Sequence, residues 1–363
     1  GFLTLELLRE QGYGDIEKVR NQVIFTTHTP VAAGHDFFSY DLIDEVMDGD
    51  VAQILRQHIG GNGLSMTDLA LKLSRYVNGV SHKHALVSRA MFGNESIDWI
   101  TNGVHSTTWT SPSFANLYDA RIPGWRNDPS RLMQALHIPD EEIWKAHQAA
   151  KMKLLAFVLE ETGQQLDPDV LTIGFARRAA TYKRADLVFS DIRRLVEIGK
   201  GKVQFVFSGK AHPHDEPGKD ILQKINRIAK ELGAELPVVF IENYNMGPAK
   251  FITSGVDIWL NTPIRPREAS GTSGMKCVHN GVMNFSVLDG WWIEGCIEGR
   301  TGWAIGPEPT ENGMVEYNEA EDAVDLYNKL EEKIIPAYYT DRKRWIGMMK
   351  FAIAVNASYF NTH

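Results

Sequence analysis

The run Arg265-Pro266-Arg267-Glu268-Ala269-Ser270-Gly271-Thr272-Ser273-Gly274-Met275-Lys276 holds the parts of an anion site. Its pattern is a strand end, a loop of glycine and hydroxyl residues, and then a helix. Loop amides and the first helical turn offer N–H donors at the positive end of the helix dipole, so a phosphate placed there needs few side chains. Lys276 sits inside that helix, with its amine in reach of the same pocket. A partly desolvated lysine beside an anion site has a lowered pKa and can form an imine with an aldehyde cofactor. For an arbitrary lysine, a solvated helix position is the commoner fate.

A second cluster is Gly174-Phe175-Ala176-Arg177-Arg178-Ala179-Ala180-Thr181-Tyr182-Lys183-Arg184, which gathers four cations just past an apolar strand. So much positive charge at one strand end, in an acidic chain, suits two neighbouring phosphates better than one. A basic, solvated turn is the competing explanation. Other chemistry-bearing residues carry less. His212-Pro213-His214-Asp215-Glu216 has metal-ligating types without a structural zinc spacing, so no metal is expected. Trp291-Trp292 suits core packing at least as well as a sugar platform. His35 reads as structural, and for His28 binding and structural roles are evenly weighted.

These residues need elements to hold them. From Leu171 onward, short β-branched or aromatic runs alternate with helical patterns, as in a doubly wound parallel sheet. The expected strands are Leu171–Ala176, Val203–Ser208, Pro237–Glu242, Asp257–Asn261 and Asn284–Val287. Between them, helices are expected over Ala185–Ile198, Asp220–Leu232, Gly247–Thr253 and Gly274–Gly281. Upstream, three- and four-residue apolar spacing predicts helices over Asp41–His58 and Ser65–Met91, with one parallel-strand candidate at Gln22–Thr27. The stretch from Pro112 to Pro168, including a long helix over Asp140–Thr162, is expected to connect two domains. Helices over Glu321–Pro336 and Thr340–Ser358 close the chain. The predicted boundaries are 1–105, 106–340 and a terminal helix, 341–363, packing back toward the N-terminal part.

Composition sets the outer limits. With 363 residues the chain is long enough for two domains with a cleft, and 43% hydrophobic and 23% charged residues are ordinary for a globular protein. A net charge of −8 argues against general nucleic-acid binding. No apolar stretch is long enough to span a bilayer, and the charged first residues do not look like a signal peptide. Cys277 and Cys296 suit a reducing compartment, with a single bridge left open, and the expected location is cytoplasmic. The chain starts on Gly1 and stops at Asn361-Thr362-His363, which is the pattern of a fragment.

The segment Glu268 to Lys276, followed by Asn280-Gly281 and Leu288-Asp289-Gly290, closely resembles the cofactor-lysine segment of the glycogen and α-glucan phosphorylases. Arg177-Arg178 with Tyr182-Lys183-Arg184 resembles that family's phosphate segment, and Glu242-Asn243-Tyr244 its strand-end motif. Thr101-Asn102-Gly103 with Trp109, Val77-Asn78-Gly79-Val80 and Thr27-His28-Thr29 match in the same order, so the resemblance runs from His28 to about Phe360. It implies an α/β fold of two-domain GT-B-like architecture, with a Rossmann-like C-terminal domain and only part of the N-terminal one.

The resemblance also implies roles. Lys276 would carry pyridoxal 5'-phosphate as an imine, Arg177 and the amides of Thr272 and Ser273 would hold its phosphate, and Tyr244 and Trp109 would line its pocket. Arg178 and Lys183 would hold the substrate phosphate, Lys183 also bordering the cofactor. Glu268, Ser270, Gly271 and Asn102 would bind glucose hydroxyls, with Tyr182, His28 and Arg75 beside them. The implied reaction is phosphorolysis of α-1,4-glucan by inorganic phosphate to glucose 1-phosphate with retention, the cofactor phosphate relaying a proton. A homodimer is compatible with it.

Two departures point to the shorter bacterial and archaeal branch: Asn245 where a basic residue is usual, and Arg75 where a sugar-binding His is usual. The family's Gly-rich loop for substrate phosphate has no counterpart before His28, so the chain alone is expected to be inactive. Two competing functions remain. A glycogen-synthase-like transferase using a nucleotide sugar would need the cations but not an imine at Lys276. A non-catalytic carbohydrate-binding fragment would need neither.

Overall fold

The computed structural model describes residues 2–11, 15–47, 49–58, 61–93, 96–308 and 318–363. The chain forms two units, one of residues 1–101 with Pro266–Ser270 and one of Asn102–Arg265 with Gly271–His363.

The strands of the first unit are β1 (Ile24–Thr26), β2 (Phe37–Ser39), β3 (Gly63–Ser65), β4 (Tyr76–Gly79) and β5 (Asp98–Trp99). β1, β4 and β5 form a parallel sheet in that order, with Ile24 opposite Tyr76; β2 and β3 pair antiparallel. Leu8, Leu55, Leu64 and Leu69 form its core. Two sequence expectations fail here. Residues 41–58 form two helices, Tyr40–Val46 and Gly49–His58, and the helix expected over Ser65–Met91 is split into Met66–Lys72 and His82–Phe92 by β4. Tyr76 and Val77 are good strand residues, and pairing with β1 on one side and β5 on the other outweighs the local helical spacing. Ser65 and Ser81 cap the two helices by accepting from the amides of Asp68 and His84.

In the second unit the strands are β6 (Leu171–Arg178), β7 (Val203–Lys210), β8 (Val238–Ile241), β9 (Ile258–Asn261), β10 (Met283–Val287) and β11 (Gly302–Ile305). They form one parallel sheet in the order β11-β10-β9-β6-β7-β8. All five expected strands are present; β11 was missed, being only four residues in a Gly-flanked segment. Side chains alternate across the sheet. Phe205 and Phe207 of β7 face a core shared with Phe175 and Phe189, while Val206 faces the other way toward Leu154, Val158, Ile252 and Trp259. Helices Asp140–Thr162 and Met246–Gly255 supply that second face, and Ile192–Gly199 and Glu216–Leu232 the first. Gly174 is required because a Cβ there would come within 2.8 Å of Val256.

Helices Pro112–Arg121 and Asp140–Thr162, expected as a connection, belong to the body of the second unit, and the division falls after Thr101. The C-terminal helix Arg342–Ala352 also lies in this unit, against Asp140–Thr162, with Lys350 donating to Asp140 at 2.8 Å. The segment 185–198 is a 3-10 turn, Leu187–Phe189, and a shorter helix that Asp191 caps.

At the amino end of the sheet, Asp257 is wholly buried and fully engaged. Its Oδ2 accepts from Lys151 Nζ and from the Thr172 amide, each at 2.7 Å, and its Oδ1 lies 2.8 Å from His147 Nε2. Lys151 also donates to the Val170 carbonyl at 2.8 Å. Burial raises the Asp257 carboxyl, but the Lys151 charge and the hydrogen bond with His147 outweigh it and hold the group below its usual range. Cys277 and Cys296 are free thiols. No helix among the described residues is long and apolar enough to cross a membrane.

Candidate functional site

Strand order reverses between β6 and β9, and ligands of open α/β sheets bind outside the carboxyl ends of the strands at such a point. β6 ends in Arg177-Arg178 and β9 in Asn261. Arg177 is half-buried and its Nη1 donates to Asn261 Oδ1, bridging the two strand ends. Asn261 Nδ2 donates onward to Ser286 Oγ of β10 at 3.0 Å. Arg178, the next residue, is exposed.

Helix Thr272–Val278 starts after Gly271, whose φ of 90° is one that glycine adopts without steric cost. Gly274 has no room for a side chain, since a Cβ would lie 2.2 Å from Asn284 Oδ1. Thr272 and Ser273 are half-buried in the first turn. One turn along, Lys276 Nζ stands 4.0 Å from the centroid of the Trp109 ring. Burial of the amine pulls its pKa below the usual lysine range; Cys277 opposes that shift and the Arg177 charge adds to it.

Asn280 fixes this pair. Its Nδ2 donates to the carbonyls of Trp109 at 2.8 Å and Lys276 at 3.2 Å, and its Oδ1 accepts from the Ser111 amide at 2.7 Å. The neighbouring His279 is buried between the Met275 carbonyl, 2.8 Å from Nδ1, and Ser106 Oγ, 2.9 Å from Nε2. Burial pushes His279 down to about 4, against the effect of its Met275 bond, so it is neutral at physiological pH. Sequence reasoning passed His279 over, because nothing in its spacing separates it from an ordinary helix-end histidine. Tyr244 is half-buried, and burial lifts its phenol above the usual range, the nearby Arg177 charge pulling the other way and Cys277 adding to the rise.

Lys183 is buried in the 3-10 turn Thr181–Lys183, its Nζ 4.5 Å from the Tyr182 ring centroid. Thr262 Oγ1, just after β9, lies 3.1 Å from the Lys183 carbonyl and 2.8 Å from that of Arg184. The Ile264 amide donates to the Tyr182 carbonyl at 2.7 Å. The β9 end and the basic segment are thereby locked together. Asn102 is half-buried in the same unit.

The first unit contains the other predicted residues. Glu268 and Ser270 are buried there, and Ser81 Oγ secures their loop by donating to the Ala269 carbonyl at 2.7 Å. Ser270 Oγ has no hydrogen-bond partner among the described residues. His28 is exposed just past the carboxyl end of β1, whereas Arg75 is exposed at the amino end of β4. His35 is structural: its ring nitrogens meet Thr67 Oγ1 at 2.8 Å and the Thr29 carbonyl at 3.1 Å. His84 was overlooked in the sequence. It is buried beside β4 with Nδ1 accepting from the Val80 amide at 3.2 Å, and burial lowers it to about 4.

A cavity of about 500 Å³ borders Trp109 on the side of Lys153, Lys250 and Phe251, and another of about 510 Å³ opens beside Phe240 and Glu242. Lys276 lines neither. The convergence of side chains at the strand-order reversal is the better guide to chemistry, since Arg177 and Lys183 line neither cavity either.

The profile of the carbohydrate phosphorylase family matches residues 35–303. The chain is 40% identical to the maltodextrin phosphorylase of Thermococcus litoralis, over all of this chain and 48% of that protein. It is 38% identical to the glycogen phosphorylase of Aquifex aeolicus, over 93% of this chain and 55% of that one. With the glycogen phosphorylase of Mycobacterium tuberculosis the identity is 33%, over 97% and 47%. The chain thus spans about half the length of these relatives.

Proposed function

Because the chain belongs to the carbohydrate phosphorylase family, we propose that it carries the cofactor- and phosphate-binding part of an α-1,4-glucan phosphorylase. The reaction is attack of inorganic phosphate on the terminal α-1,4 bond of a glucan, giving glucose 1-phosphate with retention. The observation that carries this reading is the desolvated Lys276 amine over Trp109, in the company of Arg177 at the strand-order reversal.

These residues fit pyridoxal 5'-phosphate. Lys276 offers a nucleophilic amine for its aldehyde, Trp109 and Tyr244 offer walls for its ring, and Arg177 with the amides of Thr272 and Ser273 suits its phosphate. When bound, that group supplies an acidic phosphate able to exchange a proton with the substrate phosphate.

The protein's own residues do the remaining work. Arg178 and Lys183 hold the substrate phosphate and stabilise the charge that gathers on it as the glucosyl group leaves the glucan oxygen. Arg177 stays on the cofactor side, so two like-charged phosphates are held by separate cations. Glu268, Ser270, Gly271 and Asn102 bind glucose hydroxyls, and the unpartnered Ser270 Oγ suits that role. Tyr182 and His28 flank the sugar. Arg75 has no part in it, given its place at the amino end of β4. The setting is a reducing one, which two unbridged cysteines suit.

The test is to incubate the protein with pyridoxal phosphate, reduce with borohydride and map the modified peptide. Modification at Lys276 is expected, with glucose 1-phosphate release from glycogen and phosphate by the whole protein. Binding of a nucleotide sugar, with Lys276 unmodified, would replace this reading by the synthase-like one.

A further inference from the structure

Behind Lys183 lies a charge cluster to which the reaction assigns no part. Arg184, buried and in the left-handed region at φ 45°, donates from Nε to the Thr262 carbonyl at 2.8 Å and from Nη2 to that of Pro263 at 3.0 Å. The same Nη2 reaches Asp322 Oδ2 at 2.6 Å. Arg265, also buried, donates from Nη2 to Asp322 Oδ1 at 2.8 Å and to the Ile305 carbonyl at the end of β11, likewise at 2.8 Å. Asp322 itself has no exposed surface and lies in helix Glu319–Lys329. One buried carboxylate therefore ties together two arginines far away in sequence.

The places of those arginines matter. Arg184 directly follows Lys183, and Arg265 is the last residue before the segment Pro266–Ser270, which carries Glu268 and Ser270. Space around the carboxylate is closed: a Cβ on Gly306 would lie 2.0 Å from Asp322 Oδ1 and 2.2 Å from Arg265 Nη2. Gly306, at φ 76°, also fixes the helix by donating its amide to Asp325 at 2.7 Å.

We propose that Asp322 is a positioning residue, which through Arg184 sets the Lys183 ammonium for phosphate, with Arg265 closing the same carboxylate from its other oxygen. The proposal rests on the phosphorylase reading, because that reading gives Lys183 its ligand. Two guanidinium groups converging on one carboxylate cannot keep that geometry once its charge is removed, since each would face a like charge at low dielectric.

Inorganic phosphate is titrated into the whole protein supplied with pyridoxal phosphate, comparing the unaltered protein with Asp322→Asn and Arg184→Lys. Borohydride fixation at Lys276 and thermal unfolding are followed in parallel. Asp322→Asn is expected to weaken phosphate binding by about ten- to a hundredfold, the scale of a displacement near 1 Å, with Lys276 still fixed. Arg184→Lys keeps the charge and loses the planar fork, and is expected to weaken phosphate several-fold; it serves if Asp322→Asn does not fold. Phosphate affinity unchanged in the folded variants, with only the unfolding temperature lowered, overturns the positioning role and leaves the phosphorylase reading standing. An unaltered whole protein that takes neither cofactor nor phosphate overturns both.

Discussion

Charge at the two ends of the six-stranded sheet has different neighbours. At the amino end, Asp257 meets Lys151, His147 and a backbone amide, all from within the core. At the carboxyl end, Arg184 and Arg265 close on Asp322 in a network of the same kind, but Arg177 also meets the side-chain amide of Asn261, and the Lys183 and Lys276 ammonium groups stand over ring faces. A closed network binds elements together; an amine over a ring face, as at Lys276, can still engage an incoming group. The lesson is that the number of charges at a site says less about its function than the kind of group each one already touches.

That contrast can be broken from either side. The largest effect is expected from Lys151→Met, which strands Asp257 as a buried carboxylate and should lower unfolding free energy by about 3–5 kcal/mol, measured by denaturant titration. A loss below about 1 kcal/mol would mean that water or a rearranged His147 had taken over. Arg178→Ala, at the other end, should leave stability within about 0.5 kcal/mol, as surface substitutions usually do. In the whole protein it should reduce phosphorolysis about a hundred- to a thousandfold, the scale of one lost transition-state donor. Equal turnover would remove Arg178 from the site. The smallest and most graded effect is on pH. The folded-state pKa of Asp257 lies below its unfolded value near 4, so its stabilisation is complete above about pH 4 and disappears as pH falls through the folded value. Urea midpoints should therefore decline in acid below about pH 4, and that dependence should weaken in Asp257→Asn.

The fold was largely legible where local pattern and tertiary demand agreed. Strands β6, β7 and β9 are apolar, bounded by turn residues and buried on both faces, so their runs stand out in the sequence. β4 was hidden because Tyr76 and Val77 also fit the helical spacing of their neighbours, and only pairing with β1 decides between the two. The anion-loop pattern around Gly271 and the lysine behind it could be recognised from residue types alone. Trp109 could not, since its place under Lys276 depends on Asn280, 171 residues away. Asp322 escaped notice for the same reason: an acid in the first turn of a helix looks like a solvated cap residue until Arg184 and Arg265 close on it.

Pro266–Ser270 groups with the first unit, although the residues on either side of it belong to the second. No single cut in the polypeptide can therefore release either unit whole. A gene truncated after Thr101 would encode the first unit without the five residues that Ser81 holds at Ala269, and the remainder would keep an orphaned loop. Exchange of these units between related genes would require three crossovers, one after Thr101 and two flanking that short insert, a constraint that favours inheriting the pair together.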